Sequence, residues 1–459
     1  SRGLGDVYKR QSHNYGVESY LARINYGFKS RYYIDASWRT DGSSRFHPSD
    51  RWGHFWSVGA SWRISEEQFM ENTRQWLDNL TLKVSYGVQG NDNLGTYYAW
   101  QGLYDYTWPN ATDAGAFVDK LENRKVTWEK NGNLNAGIEA TMFGGRLGVS
   151  VEYYNRKTRD MLLNSPLPIS TGFTGFNDNV GSLRNQGLEV SLRGTILDKR
   201  DFRWDATLMG SFNRNKVLSL TGGQDVITSD IRVIEVGRPI YTFYLPKTAG
   251  VDPATGKQLY YAYWTQTVND EGALVNTRCD EYITDNVAMA TLSKYYHESR
   301  EPKLFGSIGS TFTILKNIDV SFLTTYSIGG WVYDGLYNGS MYVQYAGNNW
   351  HKNAKRRWQK PGDKTDVPML EVGGSYATTS NSLIDASYFA IKNITVGYTL
   401  PKRWLKKIDI ESLRIYATLD NIAMFNHMDG MDPQYNFTGS VAYSYTPSRV
   451  IAFGIDLNF

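Results

Sequence analysis

Residues 450–459, VIAFGIDLNF, constrain the fold more than any other stretch of the chain. Ile451, Phe453, Ile455, Leu457 and Phe459 alternate with Ala452, Gly454, Asp456 and Asn458. Period two gives an extended strand one apolar face and one small or polar face. About ten tilted residues is also the length of strand that crosses a bilayer. In water such a segment would be a greasy edge and a template for aggregation. In an outer-membrane barrel its apolar face lies in lipid and the last strand pairs with the first. Phe453 and Phe459 are therefore the expected anchors of an assembly strand.

The same alternation recurs down the chain. Tyr20 to Phe28, Tyr32 to Trp38, His54 to Ile64, Leu80 to Val88, Leu134 to Met142 and Leu147 to Tyr153 each carry it. So do Leu188 to Ile196, Phe202 to Phe212, Ile308 to Ile314, Ile318 to Tyr326, Ile394 to Leu400 and Leu413 to Leu419. With the terminal segment this makes about thirteen strands. The opposite faces hold Arg23, Asp35, Arg63, Lys83, Glu139, Glu189, Arg193, Arg203, Asp205, Asp319, Arg414 and Asp456. A charge facing lipid costs about 2–4 kcal/mol at mid-bilayer, so these residues belong in a wet interior. Lys392 falls on the apolar parity and is expected near a strand end, reaching headgroups.

Connection lengths alternate as well. The links at 29–31, 144–145, 198–201, 316–317 and 401–412 are short, and 65–79 is somewhat longer. Those at 40–51, 90–132, 157–186, 214–302, 330–387 and 426–448 are long. Long loops outside and short turns in the periplasm are the outer-membrane barrel pattern. A closed single-chain bacterial barrel has an even strand number, so an odd count is expected to be the C-terminal portion of a larger barrel. The start, SRGLGDVYKRQ at 1–11, lacks the apolar core of a signal peptide and reads as linker or assembly artefact, leaving 12–459 as barrel.

Composition agrees and excludes alternatives. Of 459 residues 14% are aromatic, with 33 Tyr and 14 Trp, which suits a wall that is only half apolar. The balance of 49 basic to 46 acidic residues gives no electrostatic case for nucleic acid. A single cysteine, Cys279, excludes a disulfide scaffold or a cysteine-based zinc site. No apolar run is long enough for a transmembrane helix. The histidines, His13, His47, His54, His297, His351 and His427, show no metal-ligand spacing. The segment GVDPATGK at 250–257 has the wrong glycine spacing for a phosphate loop and reads as an Asp-Pro turn. Asp205 and Glu189 read as water-lining charge rather than as an acid/base pair. No cofactor, metal or catalytic group is expected.

A set of motifs in fixed order then resembles the SusC/RagA family of TonB-dependent outer-membrane transporters. Asp41, Gly42, Ser43, Ser44, Arg45 and Phe46 lead into Arg51, Trp52, Gly53 and Phe55, then Trp62, Arg63, Ile64, Ser65, Glu66, Glu67 and Phe69. Tyr86, Gly87, Gly90 and Asn91 follow, with Trp128, Glu129, Asn135 and Gly137, then Tyr153, Tyr154, Thr158 and Asp160. Asn179, Gly181, Asn185, Gly187 and Glu189 come next, and later Asp385 to Tyr388, Ile391 to Asn393, Tyr398, Leu413 to Tyr416, Asp420 and Asn421. The chain departs from the family pattern at Trp56, where proline is usual, and at Ala390, where arginine is usual. The resemblance implies an all-β transmembrane antiparallel barrel of about 22 strands, of which this chain would supply about thirteen, the plug lying outside it. It also implies import of oligosaccharides or peptides, a SusD-like surface lipoprotein as cap, and the TonB complex as a partner through an N-terminal region. A passive porin or surface-binding barrel is the alternative, separated from the first reading by a plug and a TonB-engaging segment upstream.

The segment 65–79 is expected to form a short helical turn with Ser65 as N-cap. Candidate contacts for ligand or partner are aromatics inside the long loops, namely Trp100, Trp108, Trp264, Trp331, Trp350, Tyr98 and Tyr333. Aromatic faces with polar edges suit stacking on sugar rings or on a partner surface, and equally suit self-packing of large loops.

Overall fold

The computed structural model describes residues 14–459 apart from 106–114, 174, 221–225, 230, 342–346, 348, 372–373, 375, 406–409, 429, 435–436 and 442–444. The expected linker at 1–11, His13 and Trp108 lie outside the described residues.

Thirteen antiparallel strands form one sheet, each hydrogen-bonded to the next in chain order. They are β1 (Val17–Phe28), β2 (Tyr32–Ser43), β3 (Trp52–Arg63), β4 (Leu77–Asn91), β5 (Glu129–Met142), β6 (Leu147–Arg159) and β7 (Ser182–Lys199). After these come β8 (Phe202–Ser219), β9 (Leu304–Ile314), β10 (Ile318–Ile328), β11 (Tyr388–Thr399), β12 (Ser412–Asn426) and β13 (Val450–Asn458). β1 and β13 are the two ends of this open sheet.

Register follows the apolar faces. One cross-strand row runs Tyr26, Ile34, Ala60, Val84, Ala136, Tyr153, Leu188, Phe212. A second runs Trp204, Phe312, Val320, Val396, Ala417, Phe453. A one-residue slip on any ladder would move that strand's apolar set to the other face, so patterning and register specify each other. The opposite face pairs its charges, across strands and, for Arg203 and Asp205, along one strand. Lys83 Nζ meets Glu139 at 2.6 Å, Arg203 meets Asp205 at 2.7 Å, and Arg414 reaches Asp319 at 2.7 Å and Asp456 at 3.2 Å. Asp205 and Glu189 do not meet. Glu189 lies opposite Ser211, six residues along β8 from Asp205, which is about 20 Å of strand.

Lys392 is not near a strand end. It is the unpaired residue of a bulge in β11, where Ile391 pairs Thr324 and Asn393 pairs Leu323 of β10; on the other side it stands against two residues of β12, Asn421 and Ile422. The bulge shifts parity by one, so Phe389 returns to the apolar row opposite Phe425 and Tyr326. The short turns use left-handed backbone: Lys29 and Ser30 have φ of 49° and 54°, Leu315 and Lys316 of 50° and 65°. The link after β3 forms two 3-10 turns, Ile64–Glu66 and Gln68–Thr73. Ser65 does not cap them, because its buried hydroxyl has no partner. The Glu67 carboxylate organises the link instead, accepting from Tyr32 Oη at 2.5 Å, Trp62 Nε1 at 3.1 Å and Arg31 at 3.2 Å. These bonds hold its carboxyl below the usual carboxylate range.

Candidate functional site

All long connections leave the same rim, and all but the 44–51 link contribute strands to small sheets outside the wall. Loop strands Val226–Thr228, Arg232–Glu235, Thr242–Pro246 and Lys294–Ser299 make a four-stranded sheet. Thr248–Val251, Gln258–Val268 and Leu274–Thr284 make a three-stranded one. Trp331–Asp334 pairs with Leu383–Asp385 and, in parallel, with Ser440–Val441, joining distant loops. Period two explains the packing: Phe243 and Leu245 are fully buried with Tyr333 and Leu383, between the four-stranded sheet and the Trp331–Asp334 strand.

The motif residues that carry the family resemblance build a clamp at the rim. Phe46, Phe55, Val126 and Trp128 form a buried cluster, and Trp128 Nε1 donates to the Arg51 carbonyl at 2.7 Å. Ser43 Oγ donates to Asp92 at 2.7 Å, Arg45 pairs with the same carboxylate at 3.2 Å, and its guanidinium lies 4.5 Å from the Tyr15 ring centre. Asn179 Nδ2 donates to the carbonyls of Thr127 and Asp160 at 2.9 and 2.8 Å. These groups fix loop bases rather than face a ligand. Trp128→Ala is expected to destabilise the clamp by about 3–5 kcal/mol, as for a large buried aromatic. Faster proteolytic nicking of the outer loops, with a heat-modifiable barrel retained, is the expected readout.

The expected aromatic contacts divide. Trp100 packs on the clamp cluster with its ring 5.0 Å from that of His47. Tyr98 Oη accepts from the Asn14 amide at 3.1 Å. Trp264 is half-buried in the Gln258–Val268 strand, its amide donating to Ser293 Oγ at 3.2 Å. Tyr333 is only 6% exposed, so the expectation that its ring faces ligand is corrected: it fills the core between two loop sheets. Trp350 is exposed. Trp331 packs on the same core as Tyr333 but also lines an open cleft of about 720 Å³.

That cleft brings together residues that the sequence reading did not single out, among them Arg238, Lys247 and Tyr296, with His297, which it weighed only as a metal ligand. The Arg238 guanidinium stacks 3.6 Å from the Tyr296 ring centre and pairs with Glu235 at 2.5 Å. Lys247 Nζ sits 4.4 Å from the Tyr261 ring centre and 5.8 Å from that of Tyr295. Burial first, and the Lys247 charge in addition, pushes His297 below its usual range, against the opposing effect of the Leu245 carbonyl. Strand alternation at Phe243 and Leu245 within the long loop was the signal that could have located this sheet. The segment at 250–257 is a turn, with Asp252 accepting from Thr255 Oγ1 at 2.6 Å and Trp358 Nε1 donating to the Pro253 carbonyl at 2.9 Å. Among the described residues no cluster of three His, Cys, Asp or Glu could hold a metal ion.

The model of the "TonB dependent receptor-like, beta-barrel" family matches residues 3–422. TonB-dependent receptor SusC of Bacteroides thetaiotaomicron is 29% identical over 96% of the chain and 43% of its own length. TonB-dependent receptor P26 of Formosa agariphila is 28% identical over 96% of the chain and 46% of its length. A solved structure of the RagAB peptide transporter superposes with TM-score 0.82 at 30% identity, covering 97% of this chain and 48% of that one. The chain thus spans less than half the length of the relatives it matches. Its thirteen-strand lipid-patterned sheet and the matched span together place it in the TonB-dependent receptor family, as part of an outer-membrane β-barrel of the SusC/RagA kind.

Proposed function

We propose that the chain supplies wall and outer loops to an energy-coupled outer-membrane importer of oligosaccharides or peptides. The observation that carries this reading is the loop layer. Every long connection rises from one rim, and these loops fold over buried cores that leave a cleft of about 720 Å³ between them. A passive pore needs no such rigid superstructure, whereas a receptor that selects ligands before transport does. SusC and the RagAB peptide transporter, which the chain resembles along nearly its whole length, support import by the same route. A SusD-like lipoprotein would cap the outer face, the TonB complex would drive transport through an N-terminal region, and the cell would be a Bacteroidetes-like Gram-negative bacterium.

The test is uptake by cells carrying the full-length receptor. Import of the cognate oligosaccharide or peptide is expected to stop when TonB is deleted or the proton-motive force is collapsed. Uptake that persists unchanged would favour the passive-porin reading instead.

A further inference from the structure

We infer that the cleft beside Trp331 selects ligands bearing carboxylates, such as uronic-acid oligosaccharides or acidic peptides; this rests on the import reading above. Its lining holds two permanent cations, Arg238 and Lys247, and one carboxylate, Glu298. Arg238 is already paired with Glu235. His297 is held toward its neutral form by burial. Among the described residues no carboxylate lies within ion-pair distance of Lys247, which is exposed. The cation of the cleft lining that has no ion-pair partner is therefore Lys247.

Its position is fixed rather than wandering. The Lys247 carbonyl accepts from the Tyr261 amide at 3.0 Å, and the ammonium lies against the Tyr261 and Tyr295 rings. Ring stacking reduces the freedom lost when an anion binds, without neutralising the charge. The wall behind it is rigid, because Phe243 and Leu245 are fully buried beneath the cleft. Trp331 supplies an apolar edge to the same cleft. A charged point beside an aromatic edge fits a chain unit with a flat or apolar body and a carboxylate. A neutral chain could use the aromatic edge but would leave the ammonium without a partner.

The experiment uses full-length receptor purified in detergent. Binding of oligogalacturonate and of a Glu-rich hexapeptide is measured against neutral maltohexaose and a Gln-rich hexapeptide. At least one acidic ligand is expected to bind about ten-fold more tightly than its neutral counterpart, and the difference should shrink as salt rises from roughly 0.05 to 0.5 M. Which acidic ligand shows the preference separates the sugar source from the peptide source. Lys247→Gln is expected to remove the preference and Lys247→Arg to keep most of it. Lys247 is exposed, so neither change should disturb folding. Equal binding of acidic and neutral ligands, or an acidic preference that survives Lys247→Gln, would overturn the inference while leaving import intact. Uptake independent of TonB would instead overturn the import reading, and a Lys247-dependent preference could still be read from binding.

Discussion

Deleting residues 450–459 from the full-length receptor is expected to abolish heat-modifiable, membrane-inserted protein. β13 is bonded to β12 from Ser412↔Asn458 to Asp420↔Val450, so the deletion strips the whole ladder from β12. It also removes the end of the apolar row, where Phe453 is 81% and Phe459 86% exposed in the isolated chain. Side chains this large and this exposed fit a lipid-facing surface and are costly in water. An unpaired β12 would then present bare backbone groups to hydrocarbon, each worth several kcal/mol. Two substitutions separate chemistry from length. Phe453→Asp with Phe459→Asp should impair insertion nearly as much as the deletion, whereas Asn458→Ser, off the apolar face, should not. Normal insertion of the truncated receptor would sink the assembly role of these residues.

The wall was legible in the sequence because its determinants are local. Each strand repeats period two over enough residues to declare itself, and each apolar face continues that of its neighbour across the ladder. Lys392 shows the limit of that rule: a single bulged residue changes parity, and nothing in the alternation marks where the extra residue goes. Ser65 shows another. Its place before a polar, acidic run has the look of an N-cap, yet Glu67 is drawn to Tyr32, Trp62 and Arg31, all set by hairpin geometry. The loop aromatics were the least legible. Trp331 and Tyr333 share a strand and a parity, but Tyr333 is buried with Phe243, Leu245 and Leu383 while Trp331 also reaches a cleft. That distinction depends on contacts with residues distant in the chain, Phe243 and Leu245 on one side and Leu383 on the other, which composition and spacing cannot reveal. Lys247 and Arg238 escaped notice for the same reason, since a cation's value as a site depends on which acids the fold brings near it.

Val151→Arg combined with Val396→Arg is expected to block or severely destabilise insertion of the full-length receptor. Both side chains are on the apolar face and exposed, Val151 at 36% and Val396 at 44%. They stand on β6 and β11, five strand spacings or about 24 Å apart, so the effects should add. At about 2–4 kcal/mol each near mid-bilayer, the pair would cost about 4–8 kcal/mol, comparable to the whole stability of many domains. The matched control places the same charges beside these sites, at Ser150, one residue from Val151 on β6, and at Ser321 on β10, the residue after Val320, which pairs with Val396. Ser150 lies opposite Glu139 and Ser321 opposite Thr395, both on the polar face. Arginines there can extend into water and meet carboxylates such as Glu139. Urea titration of barrels folded in lipid vesicles, read by heat-modifiable mobility, compares the two pairs. Equal loss in both would mean that the two faces are not lipid and lumen, and the parity argument for the wall would fail with it.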